Sequence, residues 1–456
     1  MTDRTFRRRA LAGGICLTLG CGVAAVAAAP SAHAAGTVTH YSGSLPDGAT
    51  WIADVPSNWK GTLVLYSHGF GNLDAADAPN AAAQTALLDA GYALVGSSYS
   101  GSSLWALASA KNDQFAALAA IEKQIPKPTT ILAFGTSMGG LISAQETQDA
   151  NGRIEGTLTT CGLVGGGVNL NNYQLDGEYA ISQLLAPSER IQLVNYVNSD
   201  QTTKAINQLS AAVSSAQSTA AGRARIALAA ALLNTPDWLT GTAAPKAHDY
   251  LGQEQQEAAW LPQQLAFVIG ARPSIEAAVG GNASWNVGVN YGKLISESAF
   301  YQQVSTLYRQ AGLSLAKDTW NLTTHTNIKP DVAALRKLQA TSTVNGHLQV
   351  PELDMHTISD QLSPIAYENW YRKQVDNAGD GALLRQSYVA AVGHCNFTSS
   401  ELLAGLQSVQ QRVKTGRWGN TSAASLNKAA AATGLGAGAF VDFAPPTFVN
   451  ARKYWF

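Results

Sequence analysis

Between residues 61 and 160, four short apolar or β-branched runs alternate with stretches of helical character, and this alternation leaves the chain few folds. The runs cover residues 61–67, 92–96, 130–134 and 154–160. The intervening stretches, residues 79–90, 113–123 and 138–148, have the length of crossover helices, and Gly91, Pro126 and Pro128 punctuate them. Parallel strands cannot be joined by a tight turn; they need a crossover of about a dozen residues or more, usually a helix. Strands buried on both faces read as continuous apolar runs. The pattern predicts an α/β fold with a mainly parallel sheet and helices on both faces.

From about residue 170 to 347 the pattern changes. Strand-like runs give way to Ala, Gln, Ser and Leu at helical spacing, as in residues 205–233 and 273–279. A block this long is no loop between neighbouring strands, so a large helical insertion is predicted. The sheet resumes at residues 350–356 and 387–392, and a helix follows over 399–413. From Gly416 the chain is rich in Gly, Ala and Asn, then aromatic, and it reads as a tail wrapping the surface. The predicted division is residues 1–34 as an export signal, 35–169 as the first part of the core, 170–345 as a helical cap, and 346–456 as the second part of the core with the tail.

Composition narrows the partners. The 456 residues are 46% hydrophobic and 13% charged, with a formal net charge of −1. Such a chain can bury a large core, and it has no overall field to draw it to nucleic acid or anionic lipid. The basic cluster Arg4, Arg7, Arg8 and Arg9 is followed by an apolar stretch and then by Ala32-His33-Ala34. That is the layout of an export signal cleaved after Ala34, and it predicts a secreted protein. The twin-arginine and general secretory routes both remain open, as does a lipid anchor at Cys21. No later apolar run is long enough to span a bilayer. Cys16 and Cys21 leave with the signal, and Cys161 and Cys395 remain as an even pair in an oxidising compartment. No His or Cys cluster has zinc spacing, so neither metal nor cofactor is expected.

The chemistry centres on Gly135-Thr136-Ser137-Met138-Gly139, a G-x-S-x-G placed between an apolar strand and a helix. Such a turn holds a strained serine and pushes its Oγ out of the sheet, and the flanking residues must be tiny for strand and helix to pass. A serine hydroxyl is a weak nucleophile at its own pKa, so it needs a base, and the base needs an orienting carboxylate.

In this arrangement the chain resembles the α/β-hydrolase family, whose catalytic order is serine, acid, histidine. The stretch from Leu353 to Pro364 is similar to the family's segment in which a strand ends, a loop turns and the acid sits shortly before a proline. The resemblance places Asp360 there. Gly393-His394, after the last predicted strand, matches the family's histidine. The likeness covers roughly residues 60–165 and 345–415. It implies Ser137 as nucleophile, His394 as general base and Asp360 as orienting acid. It further implies an oxyanion hole from the N–H groups of Met138 and of Phe70, the latter in His68-Gly69-Phe70-Gly71. Asp354 lies inside its strand and is read as facing a helix layer. His356 is read as a strand residue with a satisfied hydrogen bond, and His68 as structural. His248, His325 and His347 are read as ordinary polar side chains.

Cys395, directly after the histidine, is similar to secreted feruloyl esterases and tannases, in which that cysteine pairs with one before the nucleophile. Here Thr136 occupies that position. Cys161 is then the partner available, and the two are read either as a disulfide or as two buried thiols. The resemblance implies a secreted serine hydrolase of small-molecule or lipid-like carboxylic esters or lactones, working through an acyl-enzyme. Alternatives are an aminopeptidase of the same fold, with Glu254, Glu257 or Glu276 holding a substrate ammonium, an acyltransferase, and a non-catalytic binding module. Trp285 and Tyr291 are read as either pocket lining or cap core.

Overall fold

A computed structural model describes residues 36–452, so the export signal predicted for residues 1–34 lies outside the described residues. The strands are β1 (Val38–Ser44), β2 (Thr50–Pro56), β3 (Thr62–Ser67), β4 (Tyr92–Ser97), β5 (Thr130–Thr136), β6 (Gly156–Thr160), β7 (Glu352–Ser359), β8 (Leu384–Val392) and β9 (Phe440–Val441). They form one sheet in the order β1-β2-β4-β3-β5-β6-β7-β8-β9. The pairs from β4 through β8 are parallel, whereas β1, β2 and β9 pair antiparallel at the two edges. This order, with helical crossovers between the parallel strands, is the α/β-hydrolase fold.

The helices before the long insertion are α1 (Ala81–Asp89), α2 (Ala110–Ile121) and α3 (Met138–Gln148). Between β6 and β7 run α4 (Gly166–Leu185), α5 (Ser199–Ala216), α6 (Ala220–Leu233), α7 (Tyr250–Val279), α8 (Tyr291–Glu297), α9 (Tyr301–Gln310), α10 (Leu315–Thr324) and α11 (Val332–Thr341). After β7 come α12 (Ala366–Ala378), α13 (Ser399–Thr415) and α14 (Ala423–Ala432).

Successive side chains of a strand face opposite ways, and both faces of this sheet are covered. Val64, Tyr66, Leu132, Phe134, Leu353 and Met355 pack under α1, α13 and α14. Leu63, Leu65, Ala93, Val95, Ile131 and Ala133 pack on the other face against Phe115, Leu118 and Ile121 of α2. Around β6 and β7 that second face turns polar, with Thr157, Thr159, Glu352, Asp354 and His356 all buried. A polar layer inside the protein must be hydrogen-bonded. Thr159 donates to Glu352, 2.7 Å away, and the Tyr371 hydroxyl of α12 donates to the same carboxylate at 2.7 Å.

The insertion packs around α4, which is buried along almost its whole length. Its acidic groups find partners: Glu178 pairs with fully buried Arg272 at 3.0 Å, and Asp176 accepts from the Tyr291 hydroxyl at 3.0 Å. α7 runs 30 residues with Pro262 and Pro273 inside it. Each internal proline costs a helix about 3 kcal/mol. The buried row Trp260, Leu261, Leu265, Val268, Ile269 and Ile275 holds the helix together across them.

The tail does more than wrap the surface, which corrects the sequence reading. It forms α14, adds β9 to the edge of β8, and then climbs to α4. There Phe448 sits edge-on to Tyr367 and Tyr173, and buried Asn450 donates to Asp176 at 2.8 Å. Arg452 clamps the same carboxylate through two hydrogen bonds of 2.6 and 2.7 Å. No helix among the described residues is long and apolar enough to cross a membrane.

Candidate active site

Ser137 stands between β5 and α3 with φ of 62° and ψ of −121°, a conformation costly for any residue but glycine. Its backbone is pinned. Its N–H donates to Thr160 O at 3.1 Å, and its carbonyl accepts from the N–H groups of Gly140 at 2.9 Å and Leu163 at 3.2 Å. The glycines of the motif follow from packing. A Cβ at Gly139 would lie 1.9 Å from Ser67 O, and one at Gly135 would lie 2.0 Å from Gly139 O. Neither contact is possible, so only glycine allows strand and helix to meet at this turn.

The structure brings Ser137, His394 and Asp360 together. His394 Nε2 lies 2.6 Å from Ser137 Oγ, and His394 Nδ1 lies 2.7 Å from Asp360 Oδ2. With its Nδ1–H donated to the carboxylate, the ring leaves Nε2 free to accept the serine proton. Asp360 follows the end of β7, where a bulge shifts the register against β8 between Thr357 and Ser359. Its Oδ1 accepts from the N–H groups of Leu362 at 2.8 Å and Ser363 at 2.9 Å. Burial alone would raise its pKa, but the charges and hydrogen bonds of His394 and His356 hold it well below the usual carboxylate range.

His394 is held by its neighbours. Gly393 N–H donates to Ser359 O at 2.7 Å, and Cys395 is joined to Cys161, with the Cα atoms 5.3 Å apart. Both cysteines have positive φ, 44° at Cys161 and 56° at Cys395. Cys161, His394 and Cys395 lie within metal-ligand reach of one another. With the two sulfurs bonded together, neither offers the thiolate that a metal would take.

The loop from His68 to Gly71 lies against Ser137: a Cβ at Gly69 would be 3.1 Å from Ser137 Cβ. Phe70 lines the cleft beside Ser137 and His394. Met138 heads α3, where the first N–H groups of a helix have no intrahelical partner. His68 is structural. It is buried, stacked on Tyr99 with ring centroids 4.1 Å apart, and its Nδ1 lies 2.9 Å from Gly69 O.

The cleft at Ser137 is walled by Phe70 and Trp105 from the core loops, by Leu170 and Gln174 of α4, and by Phe267 and Ile275 of α7. Apart from Ser137 and His394, Gln174 is the polar residue in this lining. A larger cavity of about 300 Å³ lies beyond Asp360, between Trp238, Phe300 and Phe443, and touches neither Ser137 nor His394.

Other acids and histidines are engaged elsewhere. Asp354 points from β7 toward α12 and β8, near Glu368 and Gln386, rather than toward His394. Glu254 accepts from Gln217, Glu257 from Gln303, and Glu276 from the N–H groups of Asn195 and Tyr196. None of the three lines the Ser137 cleft, which corrects their reading as holders of a substrate ammonium. Trp285 and Tyr291 are buried in the insertion and belong to its core rather than to the cleft lining. His248 and His325 contact nearby groups on the surface, and His347 lies 3.5 Å from Asp380. The residue that sequence reading undervalued is His356, which sits directly behind Asp360. Its partner Glu368 comes from α12, and no spacing within the strand announces that contact.

No family model matches the chain. It is 27% identical to an o-phthalyl amidase of Xanthobacter agilis over 436 residues, 90% of this chain and 94% of that protein. The likeness is to a hydrolase over nearly the full length. Among solved structures, feruloyl esterase B from Aspergillus oryzae is 13% identical with a TM-score of 0.40, covering 83% of this chain and 80% of that one. A rice cell wall degrading esterase from Xanthomonas oryzae is 13% identical with a TM-score of 0.34, covering 82% and 87%. An acylaminoacyl peptidase of Pyrococcus horikoshii is 9% identical with a TM-score of 0.34, covering 83% of this chain and 40% of that one.

Proposed function

We propose that the chain is a serine hydrolase that cleaves carboxylic esters or amides of compact apolar acids through an acyl-enzyme at Ser137. The observation that carries this reading is the hydrogen-bonded row Ser137–His394–Asp360, with distances of 2.6 and 2.7 Å, ending at a strained serine. Ser137 Oγ attacks the acyl carbonyl while His394 Nε2 takes its proton. The N–H groups of Met138 and Phe70 receive the developing oxyanion. His394 then gives the proton to the departing alcohol or amine. Water enters with His394 as base, and the acid leaves.

The lining of the cleft favours a compact apolar acyl group. Phe70, Trp105, Phe267 and Ile275 offer flat apolar walls, and Gln174 offers one amide to a polar substituent. The same triad serves esters and amides. Similarity to an amidase over most of both chains favours aromatic amides as a second substrate class beside esters and lactones. The engaged cap glutamates weaken the aminopeptidase reading. Labelling with a fluorophosphonate probe, followed by comparison of nitrophenyl esters with arylamides of the same aromatic acids, tests both parts. Absence of Ser137 labelling removes the reading, and the rate ratio assigns the substrate class.

We also place the enzyme outside the cell, on the export signal ending at Ala34 and the even cysteine pair. Peptide mapping of protein recovered from the medium, without reduction, reads the mature N-terminus and the Cys161–Cys395 bridge together. A retained signal or two free thiols would contradict this.

A further inference from the structure

His356 is fully buried in β7, and both of its ring nitrogens face acceptors. Nε2 lies 2.9 Å from the carbonyl oxygen of Ser363, and Nδ1 lies 2.8 Å from Glu368 Oε1. A carbonyl oxygen carries no proton, so Nε2 must carry one. Glu368 also accepts from Gln386 Nε2 at 2.7 Å. Asp354, beside it, is pushed up by burial and by the Glu368 charge, whereas the hydrogen bonds and charge of His356 help hold Glu368 below the usual carboxylate range. An ionised Glu368 accepts from Nδ1, and a ring protonated at both nitrogens is an imidazolium. The same Nε2 lies 3.5 Å from Asp360 Oδ2.

We propose that His356 is a positioning residue for the catalytic row: a buried cation directly behind Asp360 that keeps this carboxylate ionised and fixed while it orients His394. The inference rests on the reading of Ser137, His394 and Asp360 as the catalytic groups. Two effects act together. The cation offsets the repulsion between the Asp360 and Glu368 carboxylates, which otherwise compete for one proton in a dry site. Its bond to Ser363 O also holds the turn whose N–H groups grip Asp360 Oδ1.

The groups around His356 all bear on its charge. Asp360 faces it from the loop after β7 and Glu368 from α12, and Asp354 of its own strand lies next to Glu368. His394 and Tyr173 of α4 lie beyond Asp360, while Glu352, Tyr388 and Arg372 lie beyond Asp354 and Glu368. Burial on its own lowers the His356 pKa, but the hydrogen bonds and charges of Asp360 and Glu368 outweigh it and push the pKa up to about 10.

The test compares His356→Gln, which keeps a donor for Ser363 O but removes the charge, with wild type. Without the cation, the proton affinity of the His394–Asp360 pair rises. The acid limb of kcat/KM should then move up by about one pH unit, with kcat falling about tenfold and KM for a small ester unchanged. The side-chain nitrogen resonances of His356 in the wild type should report a doubly protonated ring through pH 9. Glu368→Gln should lower the pH at which that ring titrates. An unmoved acid limb in a folded His356→Gln enzyme, or a neutral His356 at pH 7.5, overturns the proposal. If His356→Gln does not fold, the wild-type resonances and Glu368→Gln still decide the matter. Failure of the catalytic reading looks different, since Ser137 then goes unlabelled in the wild type as well.

Discussion

At the scale of single residues, position relative to the sheet separates two aspartates six residues apart. Asp360 accepts the His394 Nδ1–H, so Asp360→Asn presents the ring with a donor where it needs an acceptor. That change should lower kcat about 10⁴-fold, the cost recorded for the same change in a serine protease. Burial and the Glu368 charge push Asp354 toward its neutral form inside the polar layer, and asparagine is neutral too, so Asp354→Asn should stay within about threefold of wild-type turnover. Steady-state kinetics on both variants check the pair, and the opposite ranking would contradict the assignment. Glu146 of α3 offers a pH test. It is fully buried, accepts from Ser67 Oγ at 3.1 Å, and burial pushes its pKa up to about 8. An acid that binds its proton more tightly folded than unfolded gives stability that is full below about pH 4.5 and lost as pH rises toward 8. Glu146→Gln cannot ionise. Urea titrations should therefore show it gaining on the wild type by more than about 1 kcal/mol between pH 5 and pH 9. A constant difference across that range would show that Glu146 does not titrate there.

At the scale of elements, the parallel strands and their crossovers were legible because buried runs such as residues 62–67 and 130–134 carry little but apolar residues. The β1–β2 hairpin was not, since β1 lies mostly exposed at the sheet edge and reads Val-Thr-His-Tyr-Ser-Gly-Ser. α7 was visible only at its end, because Pro262 and Pro273 signal breaks that packing overrides. The tail's α14 and β9 were hidden by a run of Ala and Gly that carries no periodic apolar stripe. The serine turn was legible because sterics demand its glycines; the Glu368–His356–Asp360 row was not, because its members meet only through tertiary contacts. Elements also decide what the cysteines do. The Cys161–Cys395 link ties the end of β6 to the loop carrying His394, two segments 234 residues apart. A general base displaced by even a fraction of an ångström loses rate. Mild reduction of the protein should thus lower kcat while circular dichroism and melting still report a folded sheet. Activity that survives until the protein melts would make the link purely structural.

At the scale of the whole molecule, the insertion, the sheet and the tail are one continuous packing problem. Tyr173 of α4 donates to Leu362 O beside Asp360 at 2.9 Å, and Gln264 of α7 donates to Gln361 O at 2.7 Å. The insertion helices that wall the cleft thereby also brace the loop of Asp360. The tail completes this by neutralising buried Asp176 with Arg452. Removing one partner of a buried pair costs roughly 3–5 kcal/mol, because a charge is left without compensation. Arg452→Ala should lower the midpoint of denaturant unfolding accordingly. An unchanged midpoint would mean that the strap carries no load. The covalent chemistry proposed at Ser137 underlies all of this. The most direct measurement is intact-protein and peptide mass spectrometry after treatment with a fluorophosphonate, on wild type and on Ser137→Ala. Wild type should carry one adduct per chain, located on Ser137, and the folded variant none. No adduct on the wild type, or an equal adduct on the Ser137→Ala variant, would contradict that chemistry.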